Sequence, residues 1–370
     1  MRDLVVDSLF LHLLEMSIFE RPADLSRFGA LDAQTWDKVI KLAWKQRVSA
    51  LVAKSILSLP KEFLPPRKCL LHLFQLIEQT KITNNRVISA LHTISREYAQ
   101  LNIPFLLLKG PASGYYYPNP CLRTPGDLDL LLYRKGDYDK ARDWVTGQGI
   151  HIVKANGIHS KFYLDEISIE NHHRITYFSH KKYDRRFRSL EEDLFCKENF
   201  CHINIGGQIV QQLPVELNAF FLFQHLFRHF AHNGIGFRQF CDWILFLSKN
   251  HHKIDRDSFI ALSQYFDLLC PMQVFARVAE KYLNVSLSIF PFPTIKDNKY
   301  ADLVIDDILD GGNFGFYRSG KKRPKQKLPG MWYSYSNTLQ RAIKFGALSP
   351  EHCLILPYTK FMNRLKIGLR

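Results

Sequence analysis

The sequence predicts an α+β fold in which a small mixed β-sheet core is flanked by N-terminal and C-terminal α-helical bundles. Three observations carry this expectation. Residues 1–100 repeat apolar side chains at spacings of three and four, the period of helices buried on one face. After Asn102 the texture changes to short apolar runs bounded by Gly, Pro and Asp, the mark of strands. From residue 215 the helical period returns and dominates to the end. The expected organisation is a helical region at 1–101, an α/β core at 102–212 and a helical region with a basic loop and tail at 213–370.

Taken in order, "MRDLVVDSLFLHLLEMSIFERP" reads as an amphipathic helix. Asp3, Asp7, His12 and Glu15 interrupt its apolar stripe, and no small-residue cleavage site follows. Helices are expected at 35–57 and 68–101, separated at Pro65 and Pro66, since proline cannot continue a helix. "IPFLLLK", "LDLLLY" and "GIHIVKA" are strand candidates, with a helix closed by Gly147 and Gly149 between the second and third. Residues 161–178 alternate like a hairpin turning near Asp165 and Glu166, and 179–200 read as a charged, partly helical surface excursion. Helices follow at 215–232, 237–249, 254–267 and 271–284, with 219–230 apolar on nearly all sides and therefore central. A proline-rich linker, a helix at 300–309, a mobile loop over "GGNFGFYRSGKKRPKQKLPG" and two helices with a basic tip complete the chain.

At 370 residues and 46% hydrophobic, the chain can form two or three ordinary cores. A net charge of +15 and pI near 9.4 favour polyanionic partners such as nucleotides, RNA, DNA or anionic lipid, and equally describe a basic solvated surface. Seven scattered cysteines with no CxxC argue against a disulfide framework or a zinc finger and point to reduced thiols in a cytoplasmic protein. No stretch reaches the roughly 18–20 apolar residues of a membrane span. The nearest, "LNAFFLFQHLFRHF", breaks at Gln224, His225, Arg228 and His229.

Chemistry concentrates in "FLLLKGPASGYYYPNPCLRTPGDLDLLLY", residues 105–133. On a strand, Asp127 and Asp129 share one face while Leu128, Leu130 and Leu132 share the other. Two carboxylates roughly 6.5 to 7 Å apart at Cβ repel each other unless a cation lies between them, and a divalent metal is the natural candidate. The structural alternative is that these acids are merely solvated, or neutralised by Arg123 or Arg134. Upstream, Lys109 and Gly110 lead into a helix opened by Pro111. Gly110 lets backbone approach a phosphate, Ser113 offers a hydroxyl, and Lys109 and Arg123 supply charge. In "ISIENHH", Ser168, Glu170 and His172 share a face, so Glu170 is a third acid able to complete the pair or act as general base. Three carboxylates holding two Mg²⁺ ions form the clamp used for in-line nucleotidyl transfer.

"LLLKGPAS", "RTPGDLDLLL" and "ISIENHH" together resemble the polymerase-beta-type nucleotidyltransferase superfamily. More narrowly they resemble the bacterial "uncharacterised nucleotidyltransferase" family, with its L-K-G start, an Arg four residues before the first Asp, and E-x-H. The resemblance covers about residues 100–250, with "HLFRHFAHNGIGFRQFCDWILFL" as its later helical part. It implies an NTP co-substrate, Mg²⁺, metal ligands Asp127 and Asp129 and a third acid at Glu170, beside which the chemistry of Lys109, Gly110, Ser113 and Arg123 is expected to hold the triphosphate. It leaves the acceptor open: a small molecule, a protein or peptide, or a tRNA end. Pro111 departs from the Ser or Gly usual in the superfamily, and the gap from Gly110 to Asp127 is longer than usual.

Other constellations have plainer readings. His225, His229 and His232 fall on one helix face and could suit zinc, yet the glutamate of HExxH is absent and packed histidines are commoner there. Arg238 and Asp242 read as an intrahelical ion pair, with a place at the nucleotide pocket as the alternative. Tyr115, Tyr116 and Tyr117 point three ways on a helix, which means core and surface more than base stacking. "KKRPKQK" at 321–327 and the final "NRLKIGLR" are a solvated loop and tail, or a contact for RNA or an anionic membrane. Two rival functions accompany the enzyme reading: a catalytically silent fold that binds nucleotide or a partner protein, and a basic RNA-binding protein whose acids are incidental.

Overall fold

The computed structural model describes residues 3–29, 31–155, 159–296, 298–318, 324 and 326–368. Before the sheet come α1 (Leu4–Phe19), α2 (Ala33–Lys45), α3 (Ser49–Leu57) and α4 (Arg67–Gln100). Asp3 and Asp32 cap α1 and α2 by accepting the N–H groups of Val6 and Thr35, donors that a first helical turn leaves open. The helix expected over 35–57 is two helices. Arg47 takes a left-handed φ of 60°, and Gln46 turns inward to donate to the Ile308 carbonyl (2.7 Å) and accept from the Phe237 N–H (3.2 Å).

The core follows as β1 (Leu106–Leu107), α5 (Pro111–Gly114), β2 (Leu128–Leu131), α6 (Asp137–Gly147), β3 (Lys154–Ala155), β4 (His159–Leu164), β5 (Ile167–His172), α7 (Lys181–Lys197), β6 (Cys201–Ile205) and β7 (Gln208–Gln212). They form one seven-stranded sheet in the order β3-β4-β5-β2-β1-β7-β6. β2 runs antiparallel to β1 and parallel to β5, and β1 runs parallel to β7. The β4–β5 hairpin turns at Asp165 and Glu166, whose φ values of 47° and 67° suit a tight hairpin turn. A second hairpin, β6–β7, extends the far edge; the sequence reading did not assign it. The charged run after residue 179 is mostly the helix α7, which buries Tyr183, Phe187 and Leu194.

The chain then continues as α8 (Val215–His232), α9 (Phe237–Asn250), α10 (Arg256–Tyr265), α11 (Leu269–Leu283), α12 (Lys299–Gly311), α13 (Lys327–Phe345), α14 (Pro350–Cys353) and α15 (Ile355–Gly368). Helices from both ends of the chain share one hydrophobic core: Phe10 of α1 meets Phe237 of α9 edge to face at 5.3 Å. α8 is central there, with Phe220, Phe221, Phe223, Phe227 and Phe230 all buried. A second core lies beneath the sheet, where Leu128, Leu130, Leu132 and Ile169 pack with Tyr98 of α4 and Val145 of α6. α4, about 50 Å long, joins the two cores: Leu73 lies in the first, and Val87, Leu91 and Ile94 in the second. The even-numbered leucines of β2 thus face one core while Asp129 and Leu131 face the helices, as the alternation predicts.

Tyr116 and Tyr117 are buried and Tyr115 is exposed, the expected division. All seven cysteines are free thiols. No single described helix is long and apolar enough to cross a membrane; the bent pair α10–α11, at 117°, passes that test only by length and composition. Of the basic run at 321–327, Lys321, Lys322, Arg323 and Lys325 lie outside the described residues, as do the side chains from 363 onward in the tail.

Candidate active site

Strand register assembles the acids. Asp129 stands across from Glu170 on β5, and Glu170 across from Lys161 on β4, giving a row over three adjacent strands about 4.8 Å apart. The next row on the same face is Leu131, His172 and His159. Asp127 sits one residue before β2 and reaches the same cluster from the preceding loop.

Within it, Lys161 Nζ lies 3.2 Å from Asp127 Oδ1 and 3.3 Å from Glu170 Oε1. Lys109 Nζ lies 3.3 Å from Asp129 Oδ1, and His172 Nε2 lies 3.0 Å from that same oxygen and 3.5 Å from Glu170 Oε2. Arg134, one of the two arginines offered as a neutralising partner, instead pairs with Glu198 (3.1 Å), and Arg123 pairs elsewhere. Burial opposes the charge on Asp129, but Lys109 and the His172 hydrogen bond outweigh it and hold its pKa well below the ordinary carboxylate range. Burial opposes charge on Glu170 too, and its hydrogen bond to His172 turns the balance downward. His172 is pushed down by burial and raised overall by its two carboxylates. Burial works against the Lys161 ammonium, and Asp127 and Glu170 raise its pKa regardless.

The turn after β1 brings Gly110 against the acid loop. Its φ of 70° and ψ of −122° suit glycine, and a Cβ there would lie 2.7 Å from the Asp127 carbonyl oxygen. The helix opened by Pro111 is a single turn, and Ser113 within it is buried and does not line the cavity with the acids. Arg123 is buried, lines the cavity and donates from Nε and Nη2 to the two oxygens of Asp242 (2.7 and 2.8 Å). Tyr117 donates to the same carboxylate at 2.8 Å. Arg238 and Asp242 therefore do not form the expected intrahelical pair. Arg238 Nη1 instead donates to the carbonyls of Thr124 (3.4 Å) and Pro125 (3.0 Å), fastening α9 to the loop that carries Asp127.

Lys109, Gly110, Arg123, Asp127, Asp129 and Glu170 line one cavity of about 330 Å³, so of the residues expected at the metal and the triphosphate only Ser113 stands apart. Its opposite wall is α8, through Leu222, His225, Arg228 and His229. Arg228 has no carboxylate partner among the described residues; its guanidinium lies 4.2 Å over the Tyr177 ring and Nη2 lies 3.2 Å from His225 Nδ1. Burial, with Lys109 near His225 and Arg228 near His229, pushes both imidazoles well below their usual range. His232 lies off this cavity. Among the described residues, the close grouping of metal-ligating atoms is His159, Glu170 and His172, within 4.8 Å of one another, and not the three α8 histidines.

Sequence reasoning missed Lys161, His159 and Arg228. The first two were recoverable: a hairpin turning at Asp165 and Glu166 sets Lys161 opposite Glu170 and His159 opposite His172. Arg228 carried no local signal, because only the packing of α8 over the sheet brings it to the acids.

Among solved structures, an antigenic nucleotidyltransferase-like protein from Paracoccidioides brasiliensis is similar at 14% identity, over 48% of this chain and 86% of that one, with a TM-score of 0.31. No curated protein matches the chain. Residues 32–284, more than half of the chain and all of the cavity's acids, match the family described as "Uncharacterised nucleotidyltransferase". The chain belongs to that uncharacterised nucleotidyltransferase family.

Proposed function

We propose that the protein transfers a nucleoside monophosphate from an NTP to an acceptor, releasing pyrophosphate, with Mg²⁺ bound at the acid cluster. The observation that carries this reading is the convergence of Asp127, Asp129 and Glu170 on a cavity whose other wall presents Arg228, a cation without a carboxylate partner among the described residues. One wall suits metal and the other suits phosphate.

The donor set fits a magnesium pair: three carboxylates supply the hard oxygen ligands that ion requires, and His172, on the same face, holds Asp129 and Glu170 in place. Asp127, Asp129 and Glu170 would hold the ions, which when bound supply Lewis-acid stabilisation of charge at the reacting phosphoryl group. The chain's own residues do the rest. Gly110 admits backbone close to the phosphates, and Lys109, Arg123 and Arg228 neutralise them. Arg238 keeps the Asp127 loop in place through its carbonyls. Glu170 would take the proton from an acceptor hydroxyl.

A second reading, a nucleotide-binding fold without transfer, has one observation in its favour: the Lys161 ammonium already bridges Asp127 and Glu170 as a metal would. Incubation with α-labelled and γ-labelled NTPs, Mg²⁺ and cell extract separates the readings. Nucleotidyl transfer leaves the α label on an acceptor and the γ label in pyrophosphate. Label from the γ position on the acceptor, or no labelled acceptor in any small-molecule, RNA or protein fraction, counts against it.

A further inference from the structure

The solvent face of α13 is apolar. Leu328, Trp332, Leu339 and Ile343 recur at spacings that return to one side of a helix, and all are exposed, Trp332 by 70% and Ile343 by 74%. Leu354, Tyr358 and Phe361, at the start of and along α15, repeat the pattern and are exposed as well. The Phe361 ring lies 6.3 Å from Tyr335 of α13, so the two stripes adjoin. The opposite side of α13 is already in use: Arg341 pairs with Asp307 and donates to the Phe230 carbonyl, and Ala342 and Phe345 are buried. An apolar face this continuous is unusual on a protein that stays free in water.

Charge gathers in the same part of the chain. Residues 311–370 contain twelve Lys and Arg and one acid, Glu351, a formal +11 of the net +15; Arg318 and Arg341 pair with Asp307 just before the segment, and the excess stays strongly positive. This segment lies outside residues 32–284, the part that matches the family.

These two features together select an occupant. A second copy would carry the same net charge of +15, and Coulomb repulsion opposes the pairing of two chains so basic. Nucleic acid would use the charge and the rings, but offers nothing to the aliphatic Leu328, Leu339, Ile343 and Leu354. A lipid surface bearing negative headgroups takes both, with apolar and aromatic side chains at the acyl boundary and Lys and Arg among the phosphates. We propose that the face formed by α13 and α15 docks the protein peripherally on an anionic membrane surface, which is independent of the transfer reading.

The test is co-sedimentation of the full-length protein with vesicles of phosphatidylcholine alone and with about one third phosphatidylglycerol. The expected result is binding to the anionic vesicles that weakens as salt rises, and little binding to the neutral ones. Trp332→Ser with Ile343→Ser should lower partition by about tenfold or more while circular dichroism and thermal unfolding stay unchanged, since both side chains are exposed. Absence of partition by the wild-type protein overturns the proposal, and so does equal partition by the double variant. Light scattering that shows a wild-type dimer and a monomeric double variant would assign the face to a second copy instead. RNA binding that the double variant loses, without vesicle binding, would assign it to nucleic acid.

Discussion

Gly110→Ala probes the junction between the phosphate turn and the acid loop. At φ 70° and ψ −122° a residue with a side chain is strained by about 1–3 kcal/mol. The added Cβ would lie 2.7 Å from the Asp127 carbonyl oxygen, where carbon and oxygen normally approach to about 3.3 Å, so the loop must recede by roughly 0.6 Å. That shift passes straight into Asp127, and a misplacement of about 1 Å at a reacting centre costs on the order of 100-fold. Urea unfolding should therefore show a loss of about 1–3 kcal/mol, and Mg²⁺-dependent pyrophosphate release should fall about 10- to 100-fold. Gly136→Ala is the control: φ there is 87°, but nothing lies within 4 Å of the added Cβ, and Gly136 does not line the cavity. It should lose stability modestly and keep activity. A Gly110→Ala protein with wild-type stability and wild-type pyrophosphate release would refute the close approach on which this reasoning rests.

Further expectations concern the buried charges. Asp242→Ala leaves the Arg123 guanidinium buried without its carboxylate, so unfolding free energy should drop by about 3–5 kcal/mol in urea titrations. Asp307 is fully buried beside Arg341 and Arg318 (2.8 and 2.6 Å); burial works against its charge, yet the two arginines hold its pKa below the ordinary 3.8. A depressed folded-state value gives stability that is present above about pH 4 and lost as pH falls through the folded value, so Asp307→Asn should flatten the acid limb of a stability–pH curve. Lys161→Gln removes the ammonium that now bridges Asp127 and Glu170 and should tighten Mn²⁺ binding about tenfold by paramagnetic resonance titration. Weaker Mn²⁺ binding in that variant would mean that Lys161 supports the cation site and does not compete for it.

Much of the site was legible because strand alternation is a strict rule. Asp129 and Glu170 converge as their periodicity predicts, Asp127 joins them from the loop just before β2, and Leu128 and Leu130 face the second core. The β6–β7 hairpin carries a turn signal of its own: Gly206 and Gly207, with φ of 58° and 89°, lie between two alternating segments. The break after α2 had none, since Arg47 adopts its left-handed φ where neither glycine nor proline marks a stop. Ion-pair partners were the least legible feature. Arg238 and Asp242 have ideal helical spacing, yet Arg123 wins the carboxylate because its planar fork meets both oxygens from a loop distant in sequence. Sequence spacing ranks local partners, and only tertiary packing brings in the distant ones.

The decisive measurement is transfer of label from α-labelled NTP to an acceptor in cell extract, with pyrophosphate measured alongside, by the wild-type protein and by Asp127→Asn with Asp129→Asn. The wild type with Mg²⁺ should give stoichiometric labelled acceptor and pyrophosphate. The double variant should give neither product, although it remains folded by circular dichroism. Undiminished transfer by the double variant would contradict the assignment of these two carboxylates.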